Sequence, residues 1–256
     1  MSSDTRPSRL QRIASALGIT AAAAFALMLI ALVVVHPGAT IAAVRDDASP
    51  RVVPPATLDE PSGRTAPEVA VLAGGCFWGV QGVYQHVHGV LNAVSGYTGG
   101  SQRNAEYELV STGTTGHAES VRITYDPRLI SYATILQIFF SVVHDPTELD
   151  RQGPDEGPQY RSAIFPLNDE QARIAAAYIA QLNGGHEFGS PVVTRVEPGD
   201  TFYPAEGYHQ NYLQYHKTFP YIAINDMPKI GALQRLFPQR YRSDAVLVAA
   251  QANPSH

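Results

Sequence analysis

The sequence predicts a layered α/β or α+β domain, a sheet with helices packed against it. Three observations carry that prediction. Short apolar runs alternate with segments of helical periodicity along residues 68–200, and Gly-, Pro- and Asn-rich turns separate them. Composition is that of a globular chain, with 45% hydrophobic and 16% charged residues.

The elements follow in order. "EVAVLA" (68–73) reads as a buried strand that stops at Gly74-Gly75. After Cys76, the residues Val80, Val83, Tyr84 and Val87 stand at i, i+3, i+4 and i+7, one stripe of a helix. "VLNAVSGYTGG" is a strand running into a glycine turn. In "AESVRITYDP", Val121, Ile123 and Tyr125 alternate with Arg122 and Thr124, as in a half-buried strand. Tyr132, Ile135, Leu136, Phe139, Phe140 and Val143 share one face of a second helix, with Ser131 as N-cap and Pro146 as its stop. "YRSAIFPL" is strand-like. Asn168, with Gln171 three residues on, opens a third helix that ends at Asn183-Gly184-Gly185. "PVVTRVEP" supplies a further strand. One domain, 68–240, holds all of these, and 241–256 reads as a loose tail.

Ahead of the domain, Ile13–Val35 is a run of 23 residues without a charge, preceded by Arg6, Arg9 and Arg12. About 20 apolar residues span a bilayer. Arginines before the run, against Arg45 offset by Asp46 and Asp47 after it, predict 1–12 in the cytoplasm, 13–35 as a transmembrane anchor and the rest exported, periplasmic or extracellular. A cleaved signal peptide is the rival, with small residues at Ala39–Ala43 and a secreted product. The run exceeds the usual signal core, which favours the anchor. Residues 36–67 read as a Pro-rich linker, with five prolines over 45–67 and no apolar periodicity.

A net charge of −5 gives no basic footprint, so nucleic acid is not an expected partner. A single cysteine excludes an internal disulfide and any multi-cysteine metal site. A lone Cys is more often a small buried hydrophobe than a reagent. Cys76, however, falls at a strand–turn–helix junction, where the positive end of a helix lowers a thiol pKa and favours the reactive thiolate. Gly74, Gly75 and Gly79 permit a tight turn and close approach of another molecule.

Six blocks then occur in order: "GGCFWG", "GYTGG", "STGTTGHAE", "HDPT", "RQGPDEGPQYRSAI" and "FYPAEGYHQNYL". Together they resemble the A-type peptide methionine sulfoxide reductases, which act on the S epimer of the sulfoxide. The resemblance covers 69–213 and continues more weakly through "IGALQRLFPQRYR". The fold expected is a two-layer α/β (α+β) sandwich, a mixed sheet with helices packed on it in a ferredoxin-like plait, the catalytic domain being monomeric.

The resemblance implies roles. Cys76 is the nucleophile that becomes a sulfenic acid. Glu119 is the proton donor, since oxide leaves a sulfoxide only when protonated. Tyr107 and Tyr160 hydrogen-bond the sulfoxide oxygen, and Asp155 orders that polar site. Phe77 and Trp78 form the methyl pocket. Glu206 and His209 match a family motif and are assigned to the substrate site without a defined chemical role. No bound cofactor is implied. Read without the resemblance, Glu119 is a solvated strand end, Tyr107 and Tyr160 are partly buried aromatics, Asp155 caps a turn and Phe77 belongs to the core.

Departures from the family pattern matter. Ser111 stands where many members carry a second cysteine, and no cysteine follows Cys76. The sulfenic acid then requires an external thiol: thioredoxin, glutaredoxin with glutathione, or an exported dithiol protein. Gln81 replaces a usual acid, and Pro154 and Pro158 replace polar residues around Asp155. Three rival functions remain open. They are a cysteine hydrolase pairing Cys76 with His117 or His209, a zinc enzyme using "HAE" without the P-C-x-x-C it needs, and a tethered module that binds oxidised or methionine-rich proteins without turnover.

Overall fold

The computed structural model describes residues 49–198 and 201–249. The expected anchor at 13–35 lies outside them; among the described residues no helix is long and apolar enough to cross a membrane. In chain order the elements are β1 (Glu68–Gly74), α1 (Phe77–Gln85), β2 (Val90–Thr98), α2 (Tyr107–Val110), β3 (Ala118–Tyr125), α3 (Tyr132–Ile138), β4 (Arg151–Gln152), β5 (Asp155–Glu156), β6 (Ser162–Ile164), α4 (Asp169–Gly184), β7 (Arg195–Val196), β8 (Tyr203–Pro204), α5 (Tyr212–Tyr215) and α6 (Met227–Leu236). One π-helical turn, Phe139–Val143, continues α3, and another, Ile222–Asp226, leads into α6.

The main sheet has the order β7-β6-β1-β3-β2-β8. Every pairing is antiparallel except β6 with β7. Its inner four strands and two helices form β-α-β-β-α-β, with β3 inserted between β1 and β2, which is the expected ferredoxin-like plait in a mixed sheet. The capping signals act as read: Ser131 accepts from the Thr134 N–H and Asn168 from the Gln171 N–H.

Strand alternation distributes side chains between two faces. Ala70, Leu72, Val121, Ile123 and Tyr125 meet Val80, Val83 and Tyr84 of α1 and Ile135 and Leu136 of α3 in the larger core. Full burial of each such aliphatic side chain stabilises by about 1.5–3 kcal/mol. Val71, Ala73, Ala118, Ala163 and Phe165 form a smaller cluster on the opposite face. The parity of β3 has a functional consequence. Odd-numbered residues point to the helix layer, so Glu119 is aimed at α1 rather than at solvent.

The described parts of the expected linker and of the expected loose tail are tied down. Residues 49–67 lack regular structure, because their prolines cannot supply ladder donors, yet they form a strap along α3 and α4. Val53 is buried in the core, its N–H donates to Ser141 Oγ (3.1 Å) and its carbonyl accepts from Gln137 (2.8 Å). Tyr178 and Gln181 donate to the carbonyls of Pro54 and Pro55. The tail is held through Val248: Arg242 and Val246 donate to His86 and Gln85, and Asn211 bonds Val248 in both directions. A backbone without secondary structure still needs partners, and here side chains of the domain provide them.

Candidate active site

Strand β1 ends at Gly74, and the next residue, Gly75, turns the chain sharply with a φ of +88°. A Cβ there would sit 2.6 Å from Gln152 Cβ and Cγ, so only glycine serves both the dihedral and the packing. The turn leaves Cys76 in the N-cap position of α1, where a side chain faces the free N–H groups of the first turn. Glu119 arrives from β3 at the same helix end, and its Oε2 accepts from the Phe77 N–H at 2.9 Å. Thiol and carboxyl therefore share one helix N-terminus.

A cavity of about 290 Å³ opens beside them, lined by Cys76, Phe77, Trp78, Tyr107, Glu119, Asp155, Tyr160, Phe219 and Tyr221. Its aromatic wall is rigid. Trp78 stacks on Tyr212 with ring centroids 3.9 Å apart, meets Tyr221 edge-on, and donates its indole N–H to His209 Nδ1 at 3.1 Å. Asp155 comes from β5 and accepts a short hydrogen bond from the Tyr221 hydroxyl.

Electrostatics set the protonation of the site. Burial pushes the Glu119 carboxyl up to about 8, assisted by the charges of Asp155 and Asp226 and opposed by the Phe77 N–H. At neutral pH Glu119 is a protonated acid. Cys76 departs from the sequence expectation. Burial, then the carboxylates of Glu119, Asp226 and Asp155, raise its thiol well above the ordinary value, and the Trp78 N–H is the influence that pulls the other way. The helix end is present, but desolvation at a residue only 8% exposed outweighs it, so the resting group is a thiol.

Seven of the nine residues anticipated from the sequence line the cavity. Glu206 and His209 do not. They stand behind its wall, hydrogen-bonded to residues around it. Glu206 Oε1 accepts from the Tyr107 N–H (2.9 Å) and its Oε2 from the Tyr97 hydroxyl (2.8 Å), while His209 orients Trp78. Burial lowers the His209 pKa, so the ring is neutral and its Nδ1 is free to accept. Phe219 and Tyr221 were missed. They lie past the motif blocks, in a stretch with no local signal beyond its aromatic content, and the fold alone returns them to the cavity. Glu119 is buried, not a solvated strand end.

Among the described residues no histidine lines the cavity, so the base that a cysteine hydrolase requires is not among its lining side chains and that reading is not favoured. His117 is engaged through both ring nitrogens by the backbone of Gly100 and Ser101. Among the described residues no cluster of three His, Cys, Asp or Glu side chains could hold a metal.

The departures from the family pattern have local accommodations. Gln81 donates to the Ala93 carbonyl and to Gln210 Oε1, and its own Oε1 accepts from the Asn211 N–H, so it ties α1 to β2 and to the 210–211 turn. A carboxylate could not make the two donations. Pro154 occupies the second position of the β4–β5 hairpin, after Gly153 with φ +57°, a pairing that suits a tight hairpin turn. Pro158 opens the 3-10 turn that carries Tyr160. Ser111 follows α2 at the surface, and its hydroxyl donates to the Tyr107 carbonyl.

Comparison with known proteins agrees with this geometry. A family model described as peptide methionine sulfoxide reductase matches residues 68–241. The peptide methionine sulfoxide reductase MsrA 2 of Mesorhizobium japonicum is 57% identical over 186 residues, 73% of this chain and 95% of that protein. The protein of the same name from a Synechocystis species is 47% identical over 194 residues, 75% and 89% of the two chains. Among solved structures, the reduced form of Mxr1 from Saccharomyces cerevisiae superposes with a TM-score of 0.54 at 30% identity, over 63% of this chain and 92% of that one. Methionine sulfoxide reductase A of Corynebacterium diphtheriae gives 0.51 at 28% identity, over 68% and 91%.

Proposed function

The chain belongs to the peptide methionine sulfoxide reductase family, a family of oxidoreductases, and on that premise we propose that it reduces methionine S-sulfoxide, free or within proteins, by oxygen transfer to Cys76. The observation that carries this reading is the meeting of one sulfur and one protonated carboxyl at the same helix end, in a cavity walled by aromatic rings. Phe77 and Trp78 cradle the methyl group, and the hydroxyls of Tyr107 and Tyr160 face the sulfoxide oxygen, where charge develops. Glu119 gives its proton to that oxygen. The Cys76 sulfur attacks, the S–O bond of the substrate breaks, and methionine leaves as Cys76 becomes a sulfenic acid. The thiol proton returns to Glu119. The balance is R2SO + RSH → R2S + RSOH, so the carboxyl relays a proton without consuming one.

Within these 256 residues there is no second cysteine to resolve the sulfenic acid. Two external thiols close the cycle: they become a disulfide, the Cys76 thiol is restored and water is released. A thioredoxin-like dithiol or glutathione with glutaredoxin supplies that chemistry. The arginines ahead of the uncharged run Ile13–Val35 support a membrane-anchored protein with its catalytic domain exported.

The test is turnover of methionine sulfoxide with dithiothreitol, together with mass spectrometry of Cys76 after reaction without reductant. One methionine released per chain and a gain of about 16 Da on Cys76, both lost in Cys76→Ser, are expected. Failure to turn over either epimer rejects the reading, and binding without turnover would favour a recognition module.

A further inference from the structure

The cavity holds two carboxyl groups, Glu119 and Asp155, and the reaction proposed above uses a proton on the first of them. Two carboxylates confined together do not both ionise readily, so the pair retains a proton at neutral pH. Local contacts at Glu119 favour the wrong holder, because the Phe77 N–H donates to Glu119 and stabilises its anion. A stronger bias must act on the other carboxyl. The structure supplies one: the Tyr221 hydroxyl donates to Asp155 Oδ2.

We propose that Tyr221 is a positioning residue that commits Asp155 to the ionised acceptor form and so leaves the proton of the pair on Glu119, beside the thiol. The inference rests on the sulfoxide reductase reading. Tyr221 hydrogen-bonds neither Cys76 nor Glu119; it acts through Asp155, while its ring, edge-on to Trp78 at 6.1 Å, shares in the aromatic wall.

The surroundings agree. Asp155 is half-buried and Glu119 only 3% exposed, so charge costs less on Asp155. Burial raises the Asp155 carboxyl above its usual value, and the Tyr221 hydroxyl and the Lys229 ammonium both oppose that rise and favour its anion. Those acting on Glu119 are the Phe77 N–H, which favours its anion, and Asp155 and Asp226, which oppose it; the Cys76, Tyr107 and Tyr160 side chains complete the same wall. Tyr221, Asp226 and Lys229 all come from one stretch, the π-helical turn and its flanks. That stretch packs Asp226 against Gly79 in the first turn of α1. The C-terminal part of the domain thereby governs a proton on β3.

Tyr221→Phe tests the idea, since it keeps the ring and removes the donor. A hydrogen bond to a charged group shifts such an equilibrium by roughly 10- to 100-fold. Infrared spectroscopy of the full-length protein, which needs no turnover, should show a protonated-carboxyl band that Glu119→Gln removes and Asp155→Asn leaves in place. In Tyr221→Phe, part of that band should respond to Asp155→Asn instead. The same variant should lose about tenfold in kcat with KM within about twofold, and should add no further loss in an Asp155→Asn background. A band that stays wholly with Glu119 in Tyr221→Phe overturns the proposal, as does a full additive loss in the double variant. If the wild-type protein reduces no sulfoxide, the functional reading fails while the infrared result still decides the role of Tyr221.

Discussion

Glu119→Gln separates the chemical demand on this residue from its structural cost. The amide carbonyl can still accept from the Phe77 N–H, and the side chain keeps its shape, but it can neither ionise nor donate an acidic proton. In the wild type the carboxyl moves from 4.5 unfolded to about 8 folded, chiefly through burial. A carboxyl raised on folding binds its proton more tightly in the native state, so its stabilisation is complete below pH 4.5 and is lost as pH rises through about 8. At about 1.4 kcal/mol for each pH unit in that window, the loss between pH 5 and pH 8 is on the order of 4 kcal/mol. The variant has no such term. Urea denaturation followed by the fluorescence of Trp78, the single tryptophan of the chain, measures it directly. Glu119→Gln should match the wild type at pH 5 and exceed it by a few kcal/mol at pH 8, while kcat falls by about 100-fold or more. Equal pH dependence of the two unfolding midpoints would refute a buried, protonated Glu119. Undiminished turnover would refute its role as acid.

Wild-type kcat should hold through neutral pH and decline as pH rises past about 8, where Glu119 loses its proton, and a pH–rate profile in excess reductant reads the limb. His209→Leu removes the acceptor of the Trp78 indole; KM for a peptide sulfoxide should rise severalfold with kcat changed by less than about threefold. Gly79→Ala would place a Cβ 2.1 Å from Asp226 Oδ1, a fully buried carboxyl paired with the partly exposed Lys229, and should cost about 1–3 kcal/mol in urea unfolding. Val53→Ala should cost about 1.5–3 kcal/mol and expose residues 49–67 to limited proteolysis; no change in either would mean the strap is not held.

Much of this protein was legible from local pattern. Alternation placed Val121, Ile123 and Tyr125 on one face of β3. The i, i+3, i+4 stripe marked α1, and Ser131 and Asn168 marked the starts of α3 and α4, because such signals depend on neighbours within a few residues. The family resemblance carried by the motif blocks likewise picked out Cys76, Glu119, Tyr107, Tyr160, Asp155, Phe77 and Trp78, which meet at one cavity. The protonation state of Cys76 was not legible. A helix end argues for a thiolate at Cys76, and only the packed structure reveals the desolvation and the three carboxylates that reverse it. Burial and long-range charge are sums over residues far apart in the chain. The same reason hid Tyr221 and Phe219, the support given by Glu206 and His209, and the seating of residues 49–67. Each depends on a partner that tertiary folding brings near, and no short stretch of sequence encodes that distance.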